Sequence, residues 1–222
     1  MAETWLPGVE RQQGPFWKQG YFAIPDRAME AIEGEVNHSA EGSMAALLGE
    51  IHNLTRAASW TFSIGEDGRI VQHYPLESIT WHCGRKGDLD PNTEITGNVA
   101  LLGKEHAGKA GTPLTALQED ASVRITRFVR ATSFAGDNPP ELAVNLWEHG
   151  WINPNTACPS DRINWTSYIA KLSPVKEDDM TQEEHDVLMN MARQVTKSLR
   201  KIEVMEKAIA NLEKDHHPPN HN

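Results

Sequence analysis

The chain is poor in cysteine, poor in cations relative to anions, and without a long apolar run. Its 222 residues include 2 cysteines, Cys83 and Cys158. A disulfide-rich scaffold is excluded. A single bridge between the two is conceivable, but without a secretory signal the pair is expected to stay reduced. There are 21 Lys and Arg against 31 Asp and Glu, a formal charge of −10. Nonspecific nucleic-acid binding needs a basic surface, so the charge argues against a nucleic-acid partner. It also argues against simple attraction to an anionic membrane or cell wall. No stretch approaches the roughly 20 apolar residues of a membrane span, so no membrane insertion is expected. Residues 1–13 hold no apolar signal core. The expectation is a chain made in a cytoplasm, which something else must deliver if its substrate lies beyond a membrane.

What is present fits one domain plus an appendage. With 13 Pro, 16 Gly and 39% hydrophobic residues, a loop-rich α/β domain is favoured over a helical bundle. Residues 1–34 read as an irregular arm whose scattered aromatics (Trp5, Phe16, Trp17, Tyr21, Phe22) pin it to the domain, with helix around Asp26–Ile32. Residues 35–173 read as the domain itself. Glu35–His38 is a strand. Ser43 caps a helix to Leu54 with apolar residues at Met44, Leu47, Leu48 and Ile51. Two extended runs, Ser59–Ile64 and Arg69–Tyr74, flank Asp67-Gly68 and predict a hairpin. Ile79–His82 is a further short strand, and residues 83–98 a surface loop. Asn98–Leu102, continuing to His106, is a central strand in which Gly103 signals a bulge or break. Leu114–Ala131 is a long helix capped by Thr115, Leu142–Trp147 a short strand, and Ile163–Leu172 the last helix of the domain.

Residues 174–180 are a linker. Thr181-Gln182-Glu183-Glu184 is a capping box that opens a helix over 181–215. Leu188, Val195, Ile202 and Ile209 recur every seven residues, with Ala192 and Leu199 between them. Such a helix either docks on the domain or pairs with another copy as a coiled coil, and the sustained pattern leans to pairing in a homo-oligomer. Residues 216–222 read as a disordered tail.

The chemistry concentrates in Trp147-Glu148-His149-Gly150-Trp151 and Asn155-Thr156-Ala157-Cys158-Pro159-Ser160-Asp161. His149 and Cys158 are nine residues apart, and imidazole and thiolate are both good zinc ligands. His38, in Val36-Asn37-His38-Ser39-Ala40, is the candidate third ligand. Three protein ligands with an open fourth position make a catalytic zinc, whereas four make a structural one.

These segments together resemble the zinc-dependent N-acetylmuramoyl-L-alanine amidases of type 2, which share a fold with peptidoglycan recognition proteins and phage lysozyme-type amidases. The resemblance covers roughly residues 35–172. It rests on the His38 strand, on Ala58–Ile70 as the hairpin, on Trp81-His82-Cys83-Gly84, on Lys104–Gly108 as a glutamate-bearing strand, and on His149 with Thr156-Ala157-Cys158-Pro159. It implies a mixed central sheet flanked by helices, with zinc held by His38, His149 and Cys158 at the mouth of a groove. It implies peptidoglycan as partner and cleavage of the amide between the muramic acid lactyl group and L-alanine, as in a bacteriolytic phage endolysin. The alternative is a non-catalytic peptidoglycan-binding module, or a virion structural protein that keeps the fold.

Within that frame Glu105 is the candidate general base, though a solvated strand-end carboxylate reads equally well, and Thr156 is the candidate oxyanion donor. Trp60, Trp81 and His82 are the candidate substrate contacts, with His82 alternatively standing behind a ligand. Trp60 replaces a tyrosine common in the family, and Ser160 a usual glycine. His73 and His106 read as ordinary surface histidines, Trp147, Trp151 and Trp165 as core, and Glu148 as either a partner to the site or exposed.

Overall fold

The computed structural model describes residues 3–20, 26–84, 97–133 and 138–172. Six strands form one mixed sheet: β1 (Glu10–Arg11), β2 (Gly34–Ser39), β3 (Phe62–Ile64), β4 (Ile70–Gln72), β5 (Leu101–His106) and β6 (Leu146–Glu148). Their order is β1-β4-β3-β5-β2-β6. β2 runs parallel to both β5 and β6, β3 parallel to β5, and β3 with β4 makes the antiparallel hairpin predicted from Asp67-Gly68. The hairpin turn closes with Gly68 at φ 83°, a left-handed conformation that glycine adopts without steric cost.

Helices cover both faces, which is why β2 and β5 are buried nearly throughout rather than alternating. On one face lies α3 (Ala116–Thr132), capped by Thr115, whose Oγ1 accepts the Gln118 N–H at 3.1 Å. Its Ala121, Ile125 and Val129, spaced by one helical turn, pack on Phe62, Ile64 and Leu102. Burial of Ile125 and Val129 stabilises the fold by about 1.5–3 kcal/mol each, and that of the Ala121 methyl by less. The same face holds a buried polar network. Lys104 Nζ donates to Glu35 Oε2, Thr126 Oγ1 and Tyr168 Oη at 3.1, 2.7 and 2.7 Å. Burial alone would lower the Lys104 pKa, but Glu35 and Tyr168 more than offset it and leave it raised. Tyr168 belongs to α5 (Trp165–Leu172), which packs on α3.

On the opposite face, α1 (Met44–Ile51), capped by Ser43, buries Leu47 and Ile51 against Trp60 and Tyr74. Two single-turn helices, α2 (Gly97–Ala100) and α4 (His149–Ile152), lie at strand ends. Val36, His38, Leu101, Gly103 and Glu105 point to this face by strand alternation. No helix among the described residues is long and apolar enough to cross a membrane.

The arm is held differently from the expectation. Its backbone adds strand β1 to the sheet edge beside β4, and Leu6 enters the α3-side core. Phe16 is 73% exposed and does not pin it, whereas Trp17, 44% exposed, meets Trp81 edge to face at 6.5 Å; Tyr21 and Phe22 lie outside the described residues. Asp26–Ile32 is not a helix beyond a 3₁₀ turn at Met29–Ala31. The buried Arg27 guanidinium is committed to the carbonyls of Asn98, Val99, Leu101 and Leu76, which draws the segment out across the sheet end. The same bonds explain why residues 97–100 coil into a turn before β5 begins. Residues 79–82 form no strand, only a bridge between Thr80 and Gln19. The chain divides after Ser173. The linker, the helix over 181–215 and the tail lie outside the described residues.

Candidate metal centre

β6 runs beside β2 with Asn37 opposite Glu148, so His149, the next residue, emerges next to His38. The two rings lie 4.6 Å apart. Gly150 then allows the chain to fold back. A Cβ there would sit 2.8 Å from the Thr156 carbonyl oxygen and 3.2 Å from that of Cys158. Its N–H donates to the Cys158 carbonyl at 2.7 Å, closing the loop that returns Cys158 to the strand ends. Cys158 Sγ accepts the Ser39 N–H at 3.1 Å and stands 3.9 Å from His38 Nδ1. One ligand atom from each of His38, His149 and Cys158 lies within 4.8 Å of the others. Tetrahedral zinc with these donors needs roughly 3.3–3.6 Å between ligand atoms, given bonds of about 2.0 Å to nitrogen and 2.3 Å to sulfur. Small side-chain adjustments close that difference.

The electrostatics suit a cation. Burial holds His38 well below the usual histidine range, with His82 and His149 adding to the effect, so its ring is neutral, the form that could ligate a metal. Burial pushes the Cys158 thiol up to about 12, against the Ser39 N–H that lowers it. A buried thiol of this kind becomes a thiolate when a metal compensates the charge. Cys158 and Cys83 are not bonded to each other, and Cys83 is buried in the cluster of Val36, Leu101 and Trp147.

Glu105 pairs with His38 across the β2–β5 ladder, its Oε1 3.9 Å from His38 Nδ1. Burial pushes its carboxyl up to about 8, while Arg56 and Arg162 pull it down. Its Oε2 has no hydrogen-bond partner among the described residues. Thr156 Oγ1 accepts the Cys158 N–H at 3.2 Å, leaving its own proton free to donate. These groups line a cavity of about 600 Å³ that also touches Trp60, Trp81, His82, Glu41 and Arg56.

The three candidate substrate contacts are already engaged. Trp60 is 4% exposed and donates its indole N–H to Ser63 Oγ at 2.7 Å; Trp81 donates its own to the Gly20 carbonyl at 2.6 Å. Each offers the cavity ring carbon only. His82 stands behind His38, with Nδ1 3.0 Å from His38 Nε2. Glu148 accepts the Trp165 indole N–H at 2.6 Å.

Two histidines read as surface groups are buried. His73 bridges Ser63 and the Gln12 carbonyl at 2.8 and 2.9 Å; His106 bridges Ser122 and the His38 carbonyl at 2.9 and 3.0 Å. Burial pulls them down to about 4 and about 3. Trp151, read as core, is 41% exposed and tilts against Trp165 at 5.8 Å. Arg162 was not singled out from sequence. Its buried guanidinium ties the ligand loop to both central strands, donating to Ser39 Oγ, the His106 and Ala107 carbonyls and the Thr112 carbonyl.

A profile of the N-acetylmuramoyl-L-alanine amidases matches residues 28–161, more than half of the chain. The chain belongs to this amidase family. Solved structures share the family fold at low identity. A selenomethionine derivative of AmpD superposes with TM-score 0.57 at 20% identity over 78% of this chain and 99% of that one. The catalytic domain of XlyA gives 0.54 at 21% identity over 75% and 99%. An endolysin amidase, LysCS from Clostridium intestinale URNW, gives 0.53 at 15% identity over 78% and 99%. No curated protein sequence matches. Family membership supports peptidoglycan amidase activity, and the mixed sheet flanked by helices is the amidase fold.

Proposed function

We propose that this protein is a zinc-dependent peptidoglycan hydrolase that cuts the amide between N-acetylmuramic acid and L-alanine. The observation that carries the reading is the convergence of His38, His149 and Cys158 at the wall of a cavity that also holds Glu105 and Thr156. Two imidazoles and a thiolate fit zinc in both softness and number, and they leave a fourth position open. When bound, zinc supplies a Lewis acid for the scissile carbonyl and lowers the pKa of its water to about 7.

The chain's own groups do the rest. Glu105 accepts a proton at its carboxylate and returns it to the departing amine; its carboxyl, pushed up to about 8 by burial, is basic enough to take that proton and acidic enough to hand it on. Thr156 donates its hydroxyl proton to the oxygen that gains charge. Trp60 and Trp81 wall the cavity with apolar ring surface, which helps exclude water and seat the glycan or peptide. We extend the reading to a bacteriolytic phage endolysin, held in the host cytoplasm until it is released to the wall. The endolysins among the fold neighbours support that extension.

The test is digestion of purified peptidoglycan with product analysis. New N-terminal L-alanine with no new reducing sugar ends is expected. Protein that binds the wall, carries no zinc and releases nothing would instead be a recognition module.

A further inference from the structure

We propose that His82 is a positioning residue that fixes the ring tautomer of His38 and so presents its Nδ1 as a metal ligand; this rests on the proposed zinc site. The reasoning starts at the Leu101 carbonyl, which can only accept. His82 Nε2 lies 3.2 Å from it and therefore carries the proton of the ring. A neutral imidazole has one N–H, so His82 Nδ1 is an acceptor. That atom is 3.0 Å from His38 Nε2, which must then be the protonated nitrogen of its own ring. His38 Nδ1 is left with a free lone pair, on the side where Cys158 Sγ stands 3.9 Å away. Metal-bound histidines usually donate their other N–H to a carboxylate, a carbonyl or water. Here the acceptor is a second imidazole, itself fixed by a main-chain carbonyl.

The slot for His82 is built. Asn98 Oδ1 accepts the backbone N–H of both His82 and Cys83, at 3.0 and 2.9 Å. Gly103, in regular register opposite Val36, makes neither bulge nor break. Its hydrogen is what makes room for the ring, because a Cβ there would lie 2.6 Å from His82 Cγ. The His82 ring meets that of His38 edge to face, at 5.2 Å and 87°. Both ring nitrogens are spent on these bonds, so we assign His82 to His38 rather than to substrate.

The test measures zinc affinity by chelator competition, and His38 ring ¹⁵N shifts in the zinc-free protein, for full-length wild type, His82→Ala and His82→Asn. Asparagine places Oδ1 near the position of Nδ1 and keeps the acceptor. His82→Ala should weaken zinc by about 10–100-fold, and the His38 shifts should move from the Nε2–H form to a mixture of tautomers. His82→Asn should restore most of the affinity and the Nε2–H signature. Equal zinc affinity in wild type and His82→Ala, or equal loss in the Ala and Asn variants, would overturn the assignment while leaving the zinc site standing. Wild-type protein that takes up no zinc would sink both.

Discussion

At Cys158, burial and a backbone donor act on the thiol in opposite senses, and burial prevails. The sulfur is therefore a poor thiolate until a cation shares the site, and the proposed zinc would in turn depend on it. Cys158→Ala should lose zinc and hydrolysis together, because two histidines hold the ion weakly. Retained stoichiometric zinc by metal analysis would show that the third ligand lies elsewhere. Glu105 is the proposed general base rather than a proposed ligand. Glu105→Gln should keep zinc content and slow turnover about a hundredfold, as expected for loss of one general base. Unchanged turnover on a soluble muropeptide would remove Glu105 from the chemistry.

At the scale of elements, the centre is a junction of two parallel strand ends and one returning loop. Gly150 sits where the first turn of α4 presses on residues 156–158. Gly150→Ala should cost about 1–3 kcal/mol of stability by overpacking, seen in denaturant melts. It should also weaken zinc binding, because the displaced segment carries Cys158. A variant with native stability and native zinc affinity would show that the loop has room to spare.

Much of this junction was legible in the sequence. The His38 strand, the Asp67-Gly68 hairpin, the Thr115-capped helix and the His149–Cys158 pair follow from local pattern and family resemblance. What escaped depends on distant partners. β1 is two residues long and exposed, with no pattern of its own. Arg27 and Arg162 carry no sequence signal, because nothing local reveals the carbonyls that receive them. His73 and His106, read as surface groups, are buried, and the hydroxyls of Ser63 on β3 and Ser122 on α3 supply each with a partner. Gly103 suggested a bulge or break, yet the strand runs through it and its missing side chain leaves space for the His82 ring.

For the whole molecule, buried neutral histidines set an acid limit on stability. His73 is clear of the metal centre and falls from 6.5 to about 4 on folding. The unfolded chain therefore takes up that proton first as pH falls. The stabilisation is complete above pH 6.5 and is lost as pH drops toward 4. Near the middle of that window His73 should contribute up to about 1.4 kcal/mol per pH unit to the slope of unfolding free energy. In zinc-free protein, His73→Gln should flatten the slope by about that amount in urea melts at stepped pH. An unchanged slope would mean that His73 titrates alike in both states.

The central claim is that His38, His149 and Cys158 hold one zinc with its fourth position open. X-ray absorption at the zinc edge of stoichiometrically loaded protein tests it most directly. The expected shell is two imidazole nitrogens at about 2.0 Å, one sulfur at about 2.3 Å and one further light atom. A shell without sulfur, or one saturated by a second sulfur, would contradict the proposed site.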